Sequence, residues 1–220
     1  NPYGLWFLNT LLVAVVTGAA TVFIGALAAY AFSRMRFAGR RIGLVTVVVV
    51  QMFPQLLAVV AIFLLMTTLG DWFPAIGLNT HTGLILVYLG GALGVNTYLM
   101  YGFFNTVPIE LDEAARIDGA GHARIFFTMI LPLVAPILAV VALLSFIGTV
   151  NEYVIASVML VDVEQQTLVV GLTKLVANPR YADWSAFSAG AVMAAIPVMI
   201  LFLFLQRYIV GGLTAGATKG

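Results

Sequence analysis

The sequence predicts an all-α, polytopic helical membrane protein, and three observations carry that prediction. Of 220 residues, 62% are hydrophobic and only 9% are charged. A soluble domain carries about 25% charged residues, so too few are present here to cover a water-facing surface. Five stretches contain no Asp, Glu, Lys or Arg: 5–33, 42–70, 82–109, 125–151 and 184–206. Each exceeds the ~20 residues that a helix needs to cross the hydrocarbon core. Finally, the basic residues are one-sided. Under alternating topology Arg34, Arg36, Arg40, Arg41, Arg116, Arg124, Arg207 and Lys219 share one side, and only Lys174 and Arg180 fall on the other. The Lys/Arg-rich side is cytoplasmic.

Each stretch should be helical, because unpaired backbone groups cannot remain in lipid. The basic loop after the first stretch, the loop 105–124 and the C-terminal tail then face the cytoplasm. The N-terminus, the loop 70–81 and the segment 158–183 face outward. The chain opens at Asn1-Pro2 on the outer side, and an additional upstream span is expected. The first run is too long for the apolar core of a cleavable signal peptide.

Taken in order, the first span carries Gly18, Gly25 and Ala29 at one-turn spacing, where neighbouring backbones approach closely. In the second, Pro54 removes a backbone donor and should kink the helix. Gln51 and Gln55 flank it. They either face a water-filled path or bond neighbouring helices. The fourth ends at Asn151-Glu152, a carboxylate near membrane depth that is expected to face a cavity or a partner.

The loop 105–132 is the most informative segment. Pro108 suits a helix start, and Glu110, Asp112 and Glu113 suit its positive N-terminal end. Leu111, Ala114, Ala115 and Asp118 recur at i, i+3, i+4, i+7, giving a short helix with a small-residue face. Gly119 supplies a left-handed C-terminal turn. A second helix should start near His122 and end before Pro132. Two short helices meeting at a glycine make a projecting cytoplasmic knob.

At these residues the chain resembles the EAA-motif permeases of ABC importers. Glu113-Ala114-Ala115, Gly119 after three residues, and Leu131-Pro132 at the far end match the motif's spacing, with Met129 where Ile is usual. The resemblance runs along the whole chain and is nearest the maltose/maltodextrin carbohydrate permeases. Its segments include 29–37, 51–54, 76–81, 88–91, 136–141, 206–208 and 212–216. It implies a type I importer transmembrane subunit, a single permease domain 1–220. Five of six spans are present, with coupling loop 105–132 and extracytoplasmic loop 158–186. Glu113, Ala114, Ala115, Asp118, Gly119, Leu131 and Pro132 would couple to the ATPase. Gln51, Gln55, Asn151 and Glu152 are candidates for the substrate path. Asn178, Pro179, Arg180 and Tyr181 are candidates for contact with a binding protein, and the glycine-rich tail 211–220 for a contact along the ATPase pair.

The resemblance further implies a homologous larger permease, two ATPase subunits and an extracytoplasmic sugar-binding protein as partners, within membrane lipid and without nucleic acid. Maltodextrin is the expected cargo; trehalose or another oligosaccharide is the alternative. ATP and Mg would sit in the partner ATPases, because this chain has no GxxxxGK[ST] loop. No cofactor or metal site is expected in the chain itself. Cysteine is absent and His81 and His122 are far apart in sequence, which argues against a zinc site. Charged residues are scattered, without the acid–base cluster of a membrane enzyme. An ion-coupled transporter would need buried mid-span carboxylates, and only Glu152 is close.

Overall fold

The computed structural model describes residues 2–217. It contains helices and turns, with no strand among the described residues. α1 (Tyr3–Arg34) is unbroken for 32 residues, about 48 Å at 1.5 Å per residue. α2 (Arg40–Gln51) and α3 (Gln55–Trp72) follow, then a 3-10 turn at Pro74–Ile76 and α4 (His81–Phe104). The knob is α5 (Glu110–Ile117), α6 (His122–Ile125), a π-turn Phe126–Ile130 and α7 (Leu131–Leu133). α8 (Ala135–Asn151), α9 (Val154–Met159), α10 (Leu168–Val176) and α11 (Trp184–Ala217) complete the chain.

Among the described residues, α1, α4 and α11 are each long and apolar enough to cross a membrane unbroken, and the number rises to five if each of two bent helix pairs counts as one span. The second stretch is more than kinked. α2 and α3 meet at 102°, because Pro54 cannot donate to the preceding turn and takes up extended backbone, ψ 113°. The fourth stretch divides at Val134, where the helical run His122–Leu133 meets α8 at 78°. Residues 125–133 therefore belong to the knob, and the straight segment shortens to Ala135–Asn151. The third stretch stops being helical at Phe104.

α1 is the central helix, packed along α4 and α8. Its lining positions are small or hydroxylated: Ala14, Thr17, Gly18, Thr21, Gly25, Ala26 and Ala29. Those residues let backbones close in. At the knob end a core gathers Ala26, Ala29 and Tyr30 of α1, Met100 and Phe104 of α4, Ala115 of α5, and Ile125, Phe126 and Ile130 of the knob. At the outer end Val13, Leu84, Tyr88, Ile155, Met159 and Val170 form a second.

Polar side chains close both ends of the bundle. Outside, Trp6 Nε1 donates to Val163 O (2.8 Å), Asn9 Nδ2 to Glu164 O (2.8 Å) and Gln166 O (3.0 Å), and Leu168 N to Thr10 Oγ1 (2.7 Å). The His81 ring meets Gln165 O at 2.8 Å. Asn79, in left-handed backbone with φ 61°, exchanges bonds with Asp162. The segment 158–186 is thus strapped down rather than loose, and it contains α10, which buries Leu168, Val170, Gly171 and Leu172. The Trp6 ring lies directly on Gly171, where any Cβ would overlap it. α11 continues to Ala217. Residues 218–220, including Lys219 of the expected tail contact, lie outside the described residues.

Candidate functional site

The knob is built as a helix, a glycine turn and a second helix. Glu110, Asp112 and Glu113 occupy the first turn of α5, where their charge complements the helix dipole. Gly119 has φ +80°, a conformation that L side chains resist. Ala120 N bonds back to Ala115 O at 2.9 Å across that turn, satisfying a carbonyl the helix end would leave free.

Of the small-residue face expected to receive another protein, Leu111, Ala114 and Asp118 are exposed and Ala115 alone is turned inward. Asp112 is also buried, and Ile117 is 88% exposed. The exposed surface of Leu111, Glu113, Ala114, Ile117 and Asp118 is therefore available to another protein. Arg34 draws Asp112 to the inward side. Its Nε lies 2.6 Å from Asp112 Oδ2, with the two side chains 4% and 2% exposed. The contact is an ion pair by distance, without the alignment of a hydrogen bond. Arg34 Nη2 also donates to Val107 O at 2.7 Å. Reading Asp112 only as a dipole-complementing acid missed this pairing. The available signal was an arginine immediately ending an apolar run, opposite an acid three residues before the buried Ala115.

Nor does the second knob helix end before Pro132. Leu131 N bonds Phe126 O, an i→i+5 π-turn that carries the helical run through Pro132 to Leu133. Such π-turns are rare and occur often at functional positions. Leu131 is half-buried and Pro132 exposed, on the opposite end of the knob from Glu113.

The four substrate-path candidates do not converge on one site. Glu152 lines a cleft of about 370 Å³ with Thr17, Tyr88, Asn96, Ser145 and Thr149. Its carboxylate accepts Tyr88 Oη–H (2.6 Å), Ile155 N–H (2.9 Å) and Ala156 N–H (3.0 Å). It therefore caps α9, offering negative charge to the helix's free amide groups. Asn96 is satisfied by Ala92 O (2.8 Å) and Ser145 Oγ (3.3 Å), whereas the Thr17 hydroxyl has no partner. Asn151 is exposed and bonds back to Ile147 O at 2.9 Å. Gln51 lies on another face of α4, packed onto Gly94 in a second cleft of about 330 Å³ with Gly90 and Thr97. Gln55 is the first residue of α3.

The outer candidates form one exposed turn. Asn178 Oδ1 accepts Arg180 N–H (3.0 Å) and Asn178 O accepts Tyr181 N–H (3.1 Å). Asn178, Pro179 and Arg180 are exposed, and Tyr181 is 78% exposed. The turn projects between α10 and the Asp183 cap of α11.

Apolar spans bonded at both ends, with a helix–glycine–helix knob at the end where the basic residues gather, define a multi-pass membrane permease. Residues 21–214 match the family described as binding-protein-dependent transport system inner membrane component, and the chain belongs to that family. It is 44% identical over 215 residues to the maltodextrin transport system permease protein MdxG of Bacillus subtilis, covering 98% of this chain and 75% of that protein. To the galactooligosaccharides transport system permease protein GanQ of the same organism it is 44% identical, over 99% of this chain and 75% of that one. To the maltose/maltodextrin transport system permease protein MalG of Vibrio vulnificus it is 45% identical, over 100% and 73%. A solved structure, of a bacterial ABC transporter involved in the import of the acidic polysaccharide alginate, aligns with TM-score 0.76 and 29% identity. The alignment covers 94% of this chain and 75% of that one.

Proposed function

We propose that this chain is one permease of an ATP-driven, binding-protein-dependent importer of an oligosaccharide of the maltodextrin class. It forms half of the translocation path and receives ATPase motion through the loop 105–132. The observation that carries the proposal is the knob. Its exposed face, Leu111, Ala114 and Ile117 flanked by Glu113 and Asp118, projects from the basic, cytoplasmic side of the bundle, and the turn at Gly119 fixes its shape. Glu113, Ala114, Ala115, Asp118 and Gly119 form or shape the contact, and Leu131 and Pro132 brace its far end.

The partners that fit are a homologous larger permease, two ATPase subunits holding ATP and Mg, and an extracytoplasmic sugar-binding protein. The turn Asn178-Pro179-Arg180-Tyr181 meets the binding protein. Thr17, Tyr88, Asn96 and Glu152 give the cleft between α1, α4 and α8 hydroxyl, amide and carboxylate groups of the kind that hydrogen-bond a sugar. Gln51, Gln55 and Asn151 serve the path from its margins.

Reconstituted with these partners in proteoliposomes, the chain should support maltodextrin uptake that needs both ATP and the binding protein. Uptake without ATP, or a tagged chain that brings down no ATPase, would sink the reading. Galactooligosaccharide is the second cargo to assay, given the relative named for it.

A further inference from the structure

Two polar contacts on α1 hold the knob, and they lie one turn apart. Arg34 pairs with Asp112 of α5 and donates to Val107 O. Tyr30, four residues earlier and so on the same face, meets His122 Nδ1 of α6 at 3.3 Å and packs against Phe126, ring centroids 5.1 Å apart. α1 therefore touches both halves of the knob. Taking two charges out of water is costly, and apolar side chains of similar volume would hold the position with no less stability. What a buried ion pair adds is a single orientation of one element on the other. Neither Asp112 oxygen accepts a hydrogen bond, so the Arg34 charge alone holds the carboxylate. The pair is buried, its side chains 4% and 2% exposed, at the edge of a cleft of about 530 Å³ beside α5.

The other end of α1 is bonded to the outer segment through Trp6, Asn9 and Thr10. Among the described residues, α1 alone of the membrane-crossing helices has side-chain bonds to other elements at both ends and no break between. α2–α3 turns by 102° and the run into α8 by 78°. α4 is bonded at its outer end by His81 but meets the knob only through apolar packing at Met100 and Phe104.

We propose that Arg34 is a positioning residue whose ion pair with Asp112 makes the coupling helix α5 and α1 one rigid unit. Motion received at the knob is then delivered first to α1, and along it to the outer segment 163–168. The proposal rests on the knob being the ATPase contact, and the test separates the two.

The test measures sugar imported per ATP hydrolysed, in proteoliposomes of the full complex, counting only complexes that purify with their ATPase subunits. Asp112→Asn and Arg34→Gln should each lower the ratio at least fivefold with ATPase still bound. Arg34→Lys keeps the charge but offers one nitrogen in place of the two that reach Asp112 and Val107 O, and should fall between. The double variant should be no worse than the worse single, as expected for two halves of one contact. An unchanged ratio in Asp112→Asn, or additive losses in the double variant, would overturn the proposal. Should the single variants fail to assemble, spin labels at Met35→Cys and Leu111→Cys give a second measurement, in a chain with no native cysteine. One narrow distance, the same without nucleotide and with ATP, supports a rigid unit. A distance that shifts with nucleotide overturns it. A wild-type chain that retains no ATPase would instead remove the docking reading itself.

Discussion

Gly119 shows how much a single residue fixes. Its φ of +80° costs a residue with a Cβ about 1–2 kcal/mol, and proline, held near −65°, cannot adopt it at all. Gly119→Ala should therefore lower the thermal midpoint of the purified chain modestly. Gly119→Pro should leave the chain in the membrane and abolish ATP-driven uptake. Normal uptake by the proline variant would refute the turn's role. This residue was legible from sequence, because a glycine closing a short charged helix has few other uses. Glu152 was only half legible. Its place beside a cavity was expected, but its work as a cap was not, because α9 begins only two residues later and a six-residue helix leaves little periodic signal. Each hydrogen bond to a charged group contributes about 1.5–3 kcal/mol. Tyr88→Phe, which removes one of three, should destabilise by about that much, measured by unfolding in detergent. Glu152→Ala should cost more than Tyr88→Phe; an equal or smaller cost would mean that the cap contributes nothing.

At the scale of elements, charge-free length located the spans and missed their breaks. Hydropathy carries no information about direction, so 125–151 read as one span although the chain turns 78° near Val134. Pro132 read as a helix end, because an α-helix has no way to carry its missing donor without loss; the π-turn at Phe126–Ile130 supplies one. α10 was hidden for a related reason. Its nine residues are too short to cross a membrane, so length-based reading left them as loop. The small-residue face of α5 was legible except at Ala115, which is buried beside Asp112, because only the Arg34 contact decides which side of the helix turns inward. Ala115 is 7% exposed within the cytoplasmic core. Ala115→Leu overpacks that site at a cost of about 1–3 kcal/mol. It should displace α5 and reduce uptake while membrane insertion, followed by fractionation, stays normal. Removing 176–181 should weaken stimulation of ATP hydrolysis by the binding protein, because this exposed turn then no longer projects.

Across the whole molecule, the positive-inside asymmetry assigns the two bonded ends of α1 to opposite sides of the membrane. Contacts of Arg34 and Tyr30 lie at one end of α1, and those of Trp6, Asn9 and Thr10 at the other. One consequence is a labelling pattern. In this cysteine-free chain, a cysteine at Ile117 should react with an impermeant maleimide only from the cytoplasmic side, and one at Tyr181 only from outside. Reaction from the opposite side at either position would invert the topology. The cargo was not legible at this scale, because the clefts carry hydroxyls and amides common to many sugar sites. Relatives of near-equal identity are named for maltodextrins and galactooligosaccharides.

The central claim is that ATPase motion enters through the knob, and site-specific cross-linking from Ile117, 88% exposed at the end of α5, tests it most directly. A photoreactive group on Ile117→Cys, in the assembled complex, should cross-link to an ATPase subunit, with a yield that changes when ATP is bound. A group placed at Tyr181 should give no such product. An importer that moves sugar with ATP while Ile117 cross-links to no ATPase subunit in any nucleotide state would contradict the account.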